Sequence, residues 1–188
     1  MSSIVVSGDT SGSITIAAPA VAGTNTLTLP ALTGTVLTTA TPGSVLQILN
    51  TTFNTGVTTD SSSYTDTGLS LSITPSKSTS KILVIATGFF VGGTSSTWCF
   101  GQLVRNSTAI CLGTGATHNC TWGVAGSQAI NSGATISYLD SPATTSAVTY
   151  KIQFKSGDGS GYPVGFNRRT DDLYYDGCSA ITLMEIAA

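Results

Sequence analysis

His118 is the only histidine in the chain. Any Ser-His-Asp triad or Cys-His pair would have to be built on it. A Cys/His metal centre would need Cys111, His118 and Cys120 to converge. The spacings of the four cysteines, Cys99, Cys111, Cys120 and Cys178, match no C-x-x-C zinc pattern. The histidine stands in "GATHNCTW", a turn-like stretch, and reads as a solvated loop residue. The cysteines lie in strand-like apolar surroundings and read as buried, reduced thiols, because free cysteine packs as a small hydrophobe. A disulfide would require an oxidising medium. Paired carboxylates for glycoside cleavage can come only from Asp140, Asp158, Asp171, Asp172 and Asp176. Asp171, Asp172 and Asp176 also offer oxygens to Ca²⁺, at a spacing that fits no EF-hand loop. The expectation is a chain that is not an enzyme, with no catalytic residue, no metal and no cofactor.

Recognition is better served than catalysis. The segment 156–177, "SGDGSGYPVGFNRRTDDLYYDG", is long, glycine-rich and polar, and loops of such length in a compact domain are usually functional or disordered. Tyr162, Phe166, Tyr174 and Tyr175, with Arg168, Arg169 and Asp171, make the mixture that binding surfaces favour. Flat aromatics bury area at low entropic cost, and Arg and Asp supply directed hydrogen bonds. The expectation is a stand-off loop from Gly157 to Gly177 at the exposed end of a head domain. The competing reading packs Tyr174 and Tyr175 under the sheet or at a subunit axis and pairs Arg168 and Arg169 with Asp171 and Asp172. Trp98 and Trp122 are expected in the core or at a subunit interface.

The elements that must position these residues are strands. Only 9% of the 188 residues are charged, against roughly 25% in ordinary soluble domains. Glutamate occurs once, at Glu185, while Thr, Val, Ile and Gly abound. β-Branched side chains fit a pleated surface and lose rotamer freedom on a helix, so the fold class is all-β. A net charge of −2 and no basic cluster beyond Arg168-Arg169 argue against nucleic acid as a partner. No run of about 20 apolar residues argues for membrane insertion. The opening "MSSIVVSGDTSGS" lacks the basic and apolar regions of a signal peptide, and synthesis in a cytoplasm without export is expected.

Residues 1–42 differ from the rest. They hold no aromatic residue and one charge, Asp9. Short alternating pieces, "SITIAAP" (13–19), "NTLTLP" (25–30) and "GTVLTT" (34–39), are separated by Pro and Gly, which end strands. Pieces this short form no independent sheet. They become stable if three chains wrap together and point Ile14, Ile16, Leu27 and Leu29 at a common axis, as an intertwined β shaft. Pro42-Gly43 then opens a head domain, 43–188. Strands are expected at 45–54, 64–74, 81–92, 97–106, 109–113, 120–130, 134–140, 148–156 and 178–187, the spacing of an antiparallel sandwich or jelly roll. "KILVIATGFF" should be central, and "VTYKIQFKS" should have one wet face. A surface of Thr, Ser and Gly with so few charges is poorly protected against association, so much of it should be buried against copies of the chain.

"SGDTSGSITIAAPAVAGTNTLTLPALTGTVLT" (7–38) resembles an N-terminal segment of tail-fibre-like and other virion proteins of bacteriophages, with "GDTSG", "APAVAGTNTLTLP" and "TGTVLT" in order. "YTDTGLSLSITPSKSTSKILVIATG" (64–88) and "CSAITLMEIA" (178–187) are similar to the opening and closing strands of the heads that follow it. The strand order also resembles trimeric jelly rolls of the complement-C1q and tumour-necrosis-factor type, by fold analogy. The resemblance implies a homotrimeric virion protein assembled in the host bacterial cytoplasm. Residues 1–42 would attach it to other tail or capsid proteins, and the head would bind a host surface glycan or protein as a short tail fibre. A capsid decoration or head-fibre protein is the alternative. A tailspike degrading envelope polysaccharide is weaker, because no catalytic motif accompanies the resemblance.

Overall fold

The computed structural model describes residues 3–21, 23–24, 31, 41–93, 97–115, 118–125, 131–170 and 177–188. Every regular element among them is a strand. The chain divides into two units, Met1–Val36 and Leu37–Ala188. In the first, β1 (Ser3–Ser7) and β2 (Ser13–Ala17) form an antiparallel hairpin. "GDTSG" turns it, with the Gly8 amide donating to the Gly12 carbonyl at 3.0 Å and Gly12 at φ 78°. Register sets Ile4 opposite Ile16 and Val6 opposite Ile14, so the four share one face.

The second unit is a sandwich of two antiparallel sheets. The first sheet lays β3 (Val45–Phe53), β13 (Ser179–Ile186), β6 (Lys81–Val91) and β10 (Asn131–Asp140) side by side. Where β13 leaves β6, the short β12 (Val164–Phe166) takes its place, and β4 (Val57–Thr59) pairs with β12. The second sheet runs β5 (Thr65–Ile73), β11 (Val148–Ser156) and β7 (Trp98–Arg105). The far edge of β7 is shared by β8 (Thr108–Ile110) and β9 (Trp122–Ala125). As the sequence predicts, β6 is central, and β11 buries Tyr150, Ile152 and Phe154 while Lys151, Gln153 and Lys155 face outward.

The core lies between the inner faces. Ile82, Val84, Ala86 and Phe90 of β6, with Ile181 and Leu183 of β13, belong to one buried cluster with Leu69, Leu103, Tyr150, Ile152 and Phe154. Two polar devices close it. Asp140 takes both oxygens to the Arg105 guanidinium, at 2.8 and 2.9 Å, and accepts the Tyr150 hydroxyl at 2.7 Å. Glu185, on the inner face of β13 and fully buried, accepts the Ser76 amide and hydroxyl at 2.7 and 2.6 Å and the Gln47 amide at 2.6 Å. Burial pushes its carboxyl up, but the hydrogen bonds from Ser76 and Gln47 win and hold it at about 2.

β1, β4 and β12 are strands that the sequence reading leaves out. β12 corrects the long-loop expectation for 157–177, because its middle is an inner strand. "VGF" is only three residues between Pro163 and Asn167, too short for periodicity to register. Asn167 ends it in the left-handed region at φ 61° and pins it, donating to the Phe53 carbonyl at 2.8 Å and accepting the Ser179 hydroxyl at 2.6 Å.

Candidate recognition site

The structure separates the residues expected to bind a receptor. Phe166 is wholly buried, with its ring centroid 5.3 Å from Phe90, 6.1 Å from Phe154 and 6.3 Å from Phe53. It is a core residue and not a contact residue, because it alternates inward on β12. Arg168 is half-buried, its aliphatic stem lying where a Cβ on Gly56 would stand, and its Nε donates to the Arg169 carbonyl at 3.2 Å. Arg169 is half-buried as well. Tyr162 is exposed. Asp171, Tyr174 and Tyr175 lie outside the described residues, as do Leu27 and Leu29 of the expected axis. Ile14 and Ile16 are described, and both are exposed on the hairpin. The four cysteines are free, but only Cys99 is buried, and Cys178 is exposed, which corrects the expectation of four buried thiols.

An aromatic hollow lies elsewhere, at one end of the second sheet's outer face. Trp98 and Phe100 are two apart on β7, so they leave the same face while Cys99 between them points to the core. Their rings stand parallel within 7° at 6.1 Å, and His118 stacks on Phe100 at 4.6 Å and 21°. Trp98 is 48% exposed and Phe100 only 7%. Next to them β11 runs into the turn 156–162. The Gly157 amide donates to the Trp98 carbonyl at 2.8 Å, and the Ser156 hydroxyl holds the turn to the Tyr162 carbonyl at 2.7 Å. Residue 157 must be glycine here, since a Cβ would fall 2.8 Å from the Phe100 ring and 2.9 Å from the Trp98 Cβ. Trp98, Phe100, His118, Gly157 and Asp158 line an open hollow of about 450 Å³.

Charges around the hollow are sorted. The Lys155 ammonium sits 4.9 Å from the Tyr64 ring centroid and 5.9 Å from that of Phe100, a cation held on aromatic faces. Tyr64 donates its hydroxyl to the Asn119 carbonyl at 3.1 Å. Burial, with smaller contributions from Cys120 and Cys99, pushes its phenol up to about 12, so it stays a donor at neutral pH. Burial pushes the Cys99 thiol far up, so that group is inert. Asp158 is exposed at the rim. Among the described residues, no three His, Cys, Asp or Glu side chains gather to hold a metal ion. The sequence signal for the hollow was present but scattered: Trp98, His118 and Asp158 stand on three segments that only the sheet pairing brings together.

A second surface is apolar. On the outer face of the first sheet, register places Leu139 beside Leu83, Leu83 beside Met184 and Met184 beside Ile48. The row crosses four strands without a charge, and its two ends, Leu139 and Ile48, are 50% and 58% exposed. Val45 and Ile186 continue it on one side.

No protein-family profile matches the chain, and no curated protein matches it. Among solved structures, the VP2 subviral particle of infectious bursal disease virus is similar with a TM-score of 0.35 at 9% identity, over 77% of this chain and 38% of that one. A structure of the Gx strain of infectious bursal disease virus is similar with a TM-score of 0.36 at 13% identity, over 98% of this chain and 46% of that one. The chain spans less than half the length of either. A likeness this distant carries no argument about activity or partners.

Proposed function

We propose that the chain is a non-enzymatic structural subunit of a virus particle, a short homotrimeric tail fibre whose head contacts the host cell surface. The observation that carries the reading is the apolar row Leu139–Leu83–Met184–Ile48. The outer face of a solvated antiparallel sheet is ordinarily polar, and contiguous apolar patches mark interaction surfaces. The hairpin face of Ile4, Val6, Ile14 and Ile16, more than half exposed at every position, supports the same need for partners in the first unit. A second and third copy supply them most simply, because closed symmetry covers every such face at once. The resemblance of residues 7–38 to phage virion segments supports a particle as the setting, with residues 1–42 as the attachment to tail or capsid proteins. Tyr162, on the turn beside the aromatic hollow, and the half-buried Arg168 and Arg169 remain proposed contacts for the host surface.

Analytical ultracentrifugation tests the assembly: three chains per particle are expected, and a well-folded monomer at micromolar concentration overturns it. Immunogold labelling of virions tests the place. Gold at the tail tip is expected, and gold over the capsid faces would make the chain a decoration or head-fibre protein.

A further inference from the structure

We propose that the hollow framed by Trp98, His118, Gly157 and Asp158 is a saccharide site that takes one neutral pyranose ring. The inference deepens the adhesin reading, on which its biological meaning rests, by naming the class of ligand. Four features of the hollow select that class.

The first is a flat, half-bare indole. Trp98 is held parallel to Phe100, which is itself backed by His118, so its plane is fixed before any ligand arrives. A pre-set ring costs little entropy on binding. The C–H-bearing face of a pyranose is apolar and slightly electropositive, and it complements the negative face of an aromatic ring. The second is the carboxylate of Asp158 at the rim. An ionised carboxylate is acceptor-only and has two oxygens, which suits a pair of neighbouring sugar hydroxyls. Third, the His118 imidazole, which also lines the hollow, adds a donor or an acceptor. Fourth, the size is right: about 450 Å³ lies within the roughly 300–1,000 Å³ of small-ligand clefts.

The same features reject other ligands. A phosphate or uronate would meet the Asp158 carboxylate, while the Lys155 ammonium is engaged over Tyr64 and Phe100.

Gly157 explains why the site exists at this point of the sheet. Its missing Cβ lets the chain leaving β11 turn tightly against the Phe100 ring and the Trp98 Cβ, so that Asp158, the next residue, lines the same hollow as Trp98.

The chain has two tryptophans, and Trp122 is only 7% exposed. Acrylamide quenching of the assembled protein therefore reads Trp98. The probes are the methyl glycosides of glucose, galactose, mannose and glucuronic acid, with N-acetyl-tyrosinamide as a peptide-like control. At least one neutral glycoside is expected to shield Trp98 with a Kd of about 1 mM, which corresponds to the modest energy of one stacked ring and a few hydrogen bonds. Saturation-transfer NMR on variants then assigns the contacts. Trp98→Ala should weaken that glycoside at least about tenfold and Trp98→Tyr should restore part of the loss, which separates a stacking role from a folding defect. Asp158→Asn should weaken neutral glycosides about tenfold while bringing the glucuronide level with them.

Shielding by no neutral glycoside overturns the proposal. So does shielding by N-acetyl-tyrosinamide alone, a Trp98→Ala variant that binds as the parent does, or a glucuronide that binds better than the glucoside. Binding of labelled trimer to host cells keeps the two readings apart. Cell binding that neither Trp98→Ala nor competing glycoside diminishes leaves an adhesin without this site. Glycoside shielding in a protein that ignores host cells leaves the site and removes the adhesin.

Discussion

Phe166 and Trp98 are both aromatic residues on strands of one sandwich, and they meet opposite fates. Phe166 alternates into the space between the sheets and touches three other phenylalanine rings. Trp98 alternates outward and keeps half its surface bare. What separates them is strand parity, not residue type: a shift of one position along either strand would exchange their roles. The inner faces of the sandwich hold the domain together, and the outer faces are free to bind. Glu185 and Asp158 repeat the contrast among carboxylates. The first is buried and saturated with donors, whereas the second stands exposed beside an open hollow.

The largest break in that comparison should come from the inside. Phe166→Ala removes the ring that Phe53, Phe90 and Phe154 share, and should cost about 3–5 kcal/mol of head stability. Urea denaturation followed by fluorescence would measure it. A loss under about 1 kcal/mol would mean that Phe166 is not the core residue its burial makes it.

Glu185→Gln comes next. With a folded pKa of about 2 against an ordinary value of 4.5, the carboxylate contributes stability that is full above about pH 4.5. That contribution is lost as pH falls from 4.5 towards 2. A shift of this size corresponds to about 3 kcal/mol. The variant should be weaker by an amount of that order at pH 7 and should converge on the parent near pH 2. Parallel pH profiles would sink the assignment.

Much of this architecture is legible in the sequence. A strand that alternates polar and apolar residues, such as 148–156, announces itself by period two, and the nine expected head strands all have counterparts. β12 does not, because three residues carry no period and its neighbours, Pro163 and Asn167, are turn formers. That one omission turned Phe166 into a surface candidate. The aromatic hollow could not be assembled from the sequence for another reason. Trp98 sits at a strand start and His118 and Asp158 in connections, and only the pairing of β11 with β7 brings the Asp158 turn to the indole. Glu185 was visible as the sole glutamate, but nothing local tells that its donors come from Gln47 and Ser76, far away in sequence.

A smaller effect sharpens the outer-face side. Trp98→Ala deletes a ring with one packed neighbour and one bare face, so unfolding should change by about 1 kcal/mol, the scale of a single aromatic pair. Comparing its urea midpoint with that of Phe166→Ala puts the two faces on one axis. A Trp98→Ala cost equal to that of Phe166→Ala would erase the distinction between them.

The smallest effect on the fold should come from Ile48→Lys, and it bears most directly on assembly. Ile48 ends the apolar row on β3 with more than half its surface exposed, so a lysine there can keep its ammonium in water. Unfolding of the isolated head should change by no more than about 0.5 kcal/mol, as for ordinary surface substitutions. In an assembly that buries the row, the same ammonium must be desolvated among Leu139, Leu83 and Met184 of this or a neighbouring copy. No carboxylate lies in the row to pair with it. Each copy carries the change, so a symmetric trimer meets it three times. Sedimentation should therefore show folded monomers where the parent is trimeric. If the variant stays trimeric with an unchanged dissociation midpoint, the outer face of the first sheet is not the subunit interface. The exposed hairpin face of Ile4, Val6, Ile14 and Ile16 is then the next surface to test, with the parallel variant Ile16→Lys.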